Sequence, residues 1–162
     1  VQLMGSGSIL REVIAAANLL AEDFGVQADV WSCPSFNELK RDGDDCVRWN
    51  LMHPDQKPRI PHVTACLEKH AGPVVAATDY VKLFADQIRA YVGRNFHVLG
   101  TDGFGRSDTR ASLRRHFEVN RYYVTVAALK TLADEGTIPA KTVKSAIRKY
   151  KLDPEKPNPL NV

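Results

Sequence analysis

Long apolar runs are missing from this sequence. Nowhere do about 20 consecutive apolar residues occur, the length that spans a bilayer, and no charged–apolar–small-residue leader opens the chain. Cysteine is scarce: Cys33, Cys46 and Cys66 are odd in number and share no short spacing, which excludes a disulfide framework and points to reduced thiols. A soluble, cytoplasmic protein with no membrane partner is the expectation. The G-x-x-x-x-G-K-[ST] phosphate loop and the G-x-S-x-G nucleophile elbow are both absent. Excess charge is small as well: the net is +3 with a pI of ≈ 8.8, below the basic footprint of a nucleic-acid-binding domain, so no nucleic-acid partner is expected.

What is present is ordinary globular composition, 44% apolar and 25% charged, over 162 residues, enough for one domain with a full core. We read residues 1–162 as that single domain, with 151–162 an extended tail carrying Pro154, Pro157 and Pro159. Charge is uneven along the chain. Residues 1–50 hold 4 basic and 8 acidic side chains, whereas residues 51–162 hold 18 and 11. The positive part would favour an acidic partner.

Four segments read as strands: the opening Val1–Met4, residues 26–33, the apolar Val74–Ala77 and Phe96–Leu99. Helical periodicity follows each. Leu10, Val13, Ala17, Leu20 and Phe24 form one stripe, with Ser8 as its N-cap and Gly25 its stop. A helix over 35–50 is interrupted or weakened at Gly43, the proline-bearing 51–61 is irregular, and 62–70 makes a short helix. Thr78 and Asp79 cap a helix whose Tyr80, Phe84, Ile88 and Tyr91 share a face. Further helices run over 109–117, over 120–135 to a stop at Gly136, and from Pro139 with Val143, Ala146, Ile147 and Tyr150 inward. Tyr122–Val126 alone would pass for a strand. Strand–helix alternation makes the fold class α/β, a mostly parallel sheet with helices on both faces.

Several constellations could carry chemistry. Gly5-x-Gly7 between a strand and a helix invites a phosphate, but Leu10 stands where a dinucleotide site needs glycine and Cys33-Pro34 where it needs an acid, so a structural turn is favoured. His62, Cys66 and His70 recur every four residues, a spacing that could present metal ligands on one helical face, yet the two histidines sit at the helix ends and a buried thiol is the plainer reading of Cys66; no metal is expected. In the loop Gly100–Thr109, Asp102 and Asp108 could be an acid–base pair or braces partnered by Arg106 and Arg110, and bracing is favoured. Gly103 and Gly105 open backbone conformations there, so the loop has one preferred shape. Arg110, Arg114 and Arg121 face either an anion, a carboxylate on another domain, or solvent. No nucleophile, base and orienting group come together. The residues by themselves give a soluble α/β domain without a self-sufficient active site.

The same loop, Gly100-Thr-Asp-Gly-Phe-Gly-Arg-Ser-Asp-Thr-Arg, with Leu113-Arg-Arg-His-Phe-Glu-Val after it, closely resembles the C-terminal domain of the homodimeric bacterial pyruvate dehydrogenases, members of the transketolase-like thiamine diphosphate enzymes. Leu3-Met-Gly-Ser-Gly-Ser-Ile-Leu-Arg-Glu-Val, Ala28-Asp-Val-Trp-Ser, Ser35-Phe-Asn-Glu-Leu-x-Arg-Asp-Gly, Arg48-Trp-Asn and Thr78-Asp-Tyr-Val-Lys-Leu-Phe agree in order. The resemblance implies a three-layer α/β/α domain with a five-stranded mixed sheet, one strand antiparallel, at the C-terminal end of a much longer homodimeric chain, of which this sequence is a fragment. It implies a parent that decarboxylates pyruvate and reductively acetylates the lipoyl group of dihydrolipoyl acetyltransferase, with thiamine diphosphate and Mg²⁺ held between two other domains. No catalytic or cofactor-binding residue is then expected in this stretch, which binds no cofactor and is inactive alone. None of His53, His62, His70, His97 and His116 gains a role from the parent's use of histidines. The interface candidates are Asp102, Phe104, Arg106, Ser107, Asp108, Arg110 and Arg114, on a loop facing the cofactor-side domain. The alternative is a free-standing anion-binding or regulatory module on the same fold.

Overall fold

The computed structural model describes residues 1–162. Its centre is a parallel sheet of four strands in the order β2-β1-β3-β4, with β1 at Gln2–Gly5, β2 at Asp29–Ser32, β3 at Val74–Ala77 and β4 at Phe96–Leu99. In register, Leu3 stands beside Val30 and Val75, and Val75 beside His97. The inner strands β1 and β3 are buried at every position, and β3 accordingly reads as an unbroken apolar run.

Helix α1 (Leu10–Phe24), α7 (Arg121–Asp134) and α8 (Ala140–Lys149) cover one face, where Leu3, Val75, Ala77 and Leu99 meet Val13, Leu20, Val124, Leu129 and Val143. The other face packs Met4, Val74, Ala76 and Val98 against α2 (Phe36–Met52), α3 (His62–Leu67), α4 (Lys82–Asp86) and α5 (Arg89–Val92). Between β4 and α7 lies the short α6, Arg110–His116. This is the three-layer arrangement expected, with one correction: the sheet has four strands, not five, and none is antiparallel. The residues offer four strand segments, and the only other β-prone run, Tyr122–Val126, is helical. Asn120 accepts hydrogen bonds from Tyr122 N and Tyr123 N, and Val124, Ala127 and Ala128 are then buried at helical spacing. Packing overrides β propensity there.

Helix α2 runs 17 residues without a break at Gly43. The ring of Tyr91 lies where a Gly43 side chain would be, and Tyr91 Oη donates to Asp44 Oδ1 at 2.5 Å. Alanine in a helix ordinarily gains up to about 1 kcal/mol over glycine. Here the added methyl meets the ring, and overpacking of about 1–3 kcal/mol outweighs that gain. Gly43→Ala is expected to lower the denaturation midpoint; a rise would mean that the ring yields freely.

Other details depart from expectation. The segment after β3 forms two short helices, whose buried residues are Ala85, Ile88 and Val92, while Tyr80 and Phe84 are exposed. Ser8 lies in a 3-10 turn, Gly7–Ile9, ahead of α1 and caps nothing. The tail folds back: Lys156 Nζ donates to His116 O at 2.7 Å and to Glu118 at 2.9 Å, and Pro159 is buried.

Candidate interdomain site

In a parallel sheet ordered β2-β1-β3-β4, the chain leaves β1 towards one face, at α1, and β3 towards the other, at α4. The loops part at that switch point and leave a crevice beyond the strand ends. It is a cavity of ≈ 470 Å³, lined among others by Ser8, Asp79, Thr101, Arg106, Asp108 and Arg110. Its floor is stitched across strands. Ser6 Oγ donates to Thr78 Oγ1 at 2.8 Å, Ser8 Oγ to Asp79 Oδ2 at 3.2 Å, and Thr101 Oγ1 to Asp79 O at 2.8 Å.

The loop after β4 is tethered at its root. Thr101 N donates to Tyr80 O at 2.9 Å, and Asp102 Oδ1 accepts from Lys82 N at 2.8 Å, with Lys82 Nζ 3.7 Å from the same carboxylate. Asp102 therefore starts α4, the task assigned above to Thr78 and Asp79. At the far end Asp108 Oδ1 accepts from Thr109 N at 2.6 Å, and the Thr109 hydroxyl accepts from Ser112 N to begin α6. Both aspartates brace the loop, as favoured, but through main-chain amides and Lys82, not through Arg106 or Arg110. Those two guanidinium groups make no ion pair. Phe104 is 80% exposed, and Ser107 is exposed beside it.

The arginine trio does not act together. Arg114 turns inward, donating to Glu12 Oε1 at 2.9 Å and to Ser8 O at 3.2 Å, and Arg121 reaches the same Glu12 through Nε, Nη2 and its main-chain amide. Only Arg110 of the three is free. Glu12 escaped the sequence reading, although an acid beside Val13, Ala16 and Leu20 on the apolar stripe of α1 is itself a signal of a buried partner. Burial pushes its carboxyl up, but hydrogen bonds from Arg121 and the charges of Arg121 and Arg114 outweigh that and hold it below the usual range.

The remaining constellations are not brought together. Cys66 Sγ lies 3.4 Å from His62 Nε2, but His70 turns to Asp29 Oδ2 at 3.1 Å and packs edge-on to Trp31, so the three share no focus. No group of three His, Cys, Asp or Glu side chains suited to a metal ion exists. At Gly5-x-Gly7 the Asp79 carboxylate lies against Gly7, where a phosphate would have to come. The arrangement can grip: it pairs two guanidinium groups that make no ion pair with an exposed aromatic ring at a braced loop.

A family model described as the transketolase-like TK C-terminal domain matches residues 1–120. The pyruvate dehydrogenase E1 component of Cupriavidus necator is 62% identical over 162 residues, covering 100% of this chain and 18% of that protein. Those of Pseudomonas aeruginosa and Escherichia coli K12 are 60% and 56% identical, each again with 18% of its length covered. The chain thus spans about a fifth of the length of the curated relatives it matches. Among solved structures, a split gene transketolase described as an inactive beta4 tetramer superposes with a TM-score of 0.55 over 82% of this chain and 39% of that one, at 17% identity, a likeness of fold. No helix is long and apolar enough to cross a membrane.

Proposed function

We propose that this chain, which belongs to the transketolase-like TK C-terminal domain family, serves as the C-terminal structural and interface domain of a thiamine diphosphate-dependent pyruvate dehydrogenase. The parent decarboxylates pyruvate and reductively acetylates the lipoyl group of dihydrolipoyl acetyltransferase, as a cytoplasmic homodimer. The observation that carries this reading is the loop after β4: it is pinned at both ends, yet it exposes Phe104 and leaves Arg106 and Arg110 without acidic partners. Tyr80, Leu83 and Phe84 are exposed in the adjoining β3–α4 segment. Such a rim of aromatic and arginine side chains suits a surface covered by the rest of a longer polypeptide.

Thiamine diphosphate would supply the carbanion chemistry elsewhere in the parent. The residues here do not fit the diphosphate and its Mg²⁺, because Asp79 and Asp108 already accept from Ser8 and Thr109 N and no three ligands converge. The work of this chain is positional. Arg106 and Arg110 donate to carbonyls and carboxylates of the neighbouring domain, Phe104 buries its ring there, and Asp102 and Asp108 keep the loop in shape. The alternative, a free-standing anion-binding module, is weakened because Arg114 and Arg121 both turn to Glu12.

In the intact protein, Phe104→Ala with Arg106→Ala is expected to lower thermal stability and pyruvate-dependent carbon dioxide release, by about 2 kcal/mol for the pair if they act as interface anchors. Leu51→Ala with Lys57→Ala, also exposed, serves as the control. Equal behaviour of the two pairs would remove the loop from the interface.

A further inference from the structure

His62 and Cys66 stand one turn apart on α3, with His62 Nε2 3.4 Å from Cys66 Sγ. Both line a second cavity of ≈ 380 Å³ together with Met4, Trp31, Cys33 and Leu39. It shares no residue with the crevice at the loop, and its buried walls belong to the core on the opposite face of the sheet.

The three thiols differ in what surrounds them. Cys33 is only 6% exposed, and burial, with Cys66 nearby, pushes its thiol up to about 11. Burial raises Cys46 as well, helped by Asp42. Cys66 is half-buried and is the only one in contact with a base. A thiol becomes nucleophilic as the thiolate, and an imidazole at hydrogen-bond distance supplies the proton acceptor.

We propose that Cys66 is a covalent modification site, with His62 as its base and the adjoining cavity seating the apolar body of a small α,β-unsaturated carbonyl compound. His62 Nε2 takes the thiol proton, and the sulfur attacks the β-carbon. As the S–C bond forms, the C=C electron pair moves onto the carbonyl, and the resulting enolate takes the proton back from the imidazolium at its α-carbon. Nothing is oxidised and no group leaves. Met4, Trp31 and Leu39 favour an apolar electrophile.

The test is limiting N-ethylmaleimide on the intact native protein at neutral pH, followed by peptide mapping. Cys66 is expected to carry the adduct, with Cys33 and Cys46 labelled only after denaturation, and Cys66→Ser to remain unlabelled while native. His62→Gln should slow labelling by about tenfold or more, within the lower range of a lost general base. Iodoacetate, which is anionic and has no apolar body to seat, should lag behind N-ethylmaleimide by more at Cys66 than on free cysteine. Faster labelling of Cys33 or Cys46, or an unchanged rate in His62→Gln, would overturn the proposal. Circular dichroism of His62→Gln identifies any loss of fold, and in that event the preference of Cys66 in the unsubstituted protein for N-ethylmaleimide over iodoacetate, relative to free cysteine, decides.

Discussion

Glu12→Ala is expected to cost about 3–5 kcal/mol of folding stability, the usual consequence of breaking a buried ion pair by removing one partner. Glu12 is 5% exposed and Arg114 is 15% exposed at its side chain, so the arginine left behind has little water to turn to. Glu12 Oε1 accepts from Arg114 at 2.9 Å and from Arg121 Nη2 at 3.1 Å, while Oε2 accepts from Arg121 N at 2.9 Å and Nε at 3.0 Å. One carboxylate thus ties α1 to α6 and to the first turn of α7. Arg121, 44% exposed, can recover hydration and contributes less. Denaturant unfolding measures the loss. A double-mutant cycle with Arg114→Ala should show strong coupling, and a loss below about 1 kcal/mol would mean that the arginines rehydrate.

The same carboxylate predicts a pH dependence with a definite sign. Its pKa in the folded protein lies below the ordinary value of 4.5, so the native state holds the proton less tightly than the unfolded chain does. The stability it contributes is complete above 4.5 and is lost as the pH falls through the depressed folded value. Glu12→Gln should therefore be the less stable protein at neutral pH and should lose this part of the acid slope.

Much of the fold was legible because the local signals are strong. Buried parallel strands appear as apolar runs such as Val74–Ala77, and Thr109 and Asn120 cap the helices that follow them. The fifth strand came from family resemblance; the residues themselves supply four. What could not be read is partnership over distance. Glu12 meets Arg114 and Arg121 across separations of 102 and 109 residues, and no local pattern says that two of the three arginines Arg110, Arg114 and Arg121 turn inward. Gly43 looks like a helix breaker until the Tyr91 ring is placed beside it. The loop was recognised as braced, but the brace is Lys82 at its root and not the arginines within it.

Gly100→Ala is expected to damage the root of that loop severely. A methyl group at position 100 would lie 2.7 Å from both Lys82 N and Tyr80 O, and 3.0 Å from Lys82 Cα. All three are main-chain atoms at the start of α4, so no side-chain rotation relieves the contact. The atoms it strikes are also the loop's own tethers: Tyr80 O accepts from Thr101 N, and Lys82 N donates to Asp102. Forcing β4 away from α4 therefore costs packing and two hydrogen bonds together, about 3 kcal/mol at the upper end of ordinary overpacking. The loop carrying Phe104 and Arg106 would shift with them, so activity of the intact protein should fall further than when those two side chains are truncated. Gly105→Ala provides the contrast within the same loop, since nothing lies within 4 Å of its added methyl, and it should stay within about 0.5 kcal/mol of the parent sequence. If the two alanine variants unfold at the same denaturant concentration, the close approach at Gly100 does not hold the loop, and its shape must be set by Asp102 and Asp108 alone.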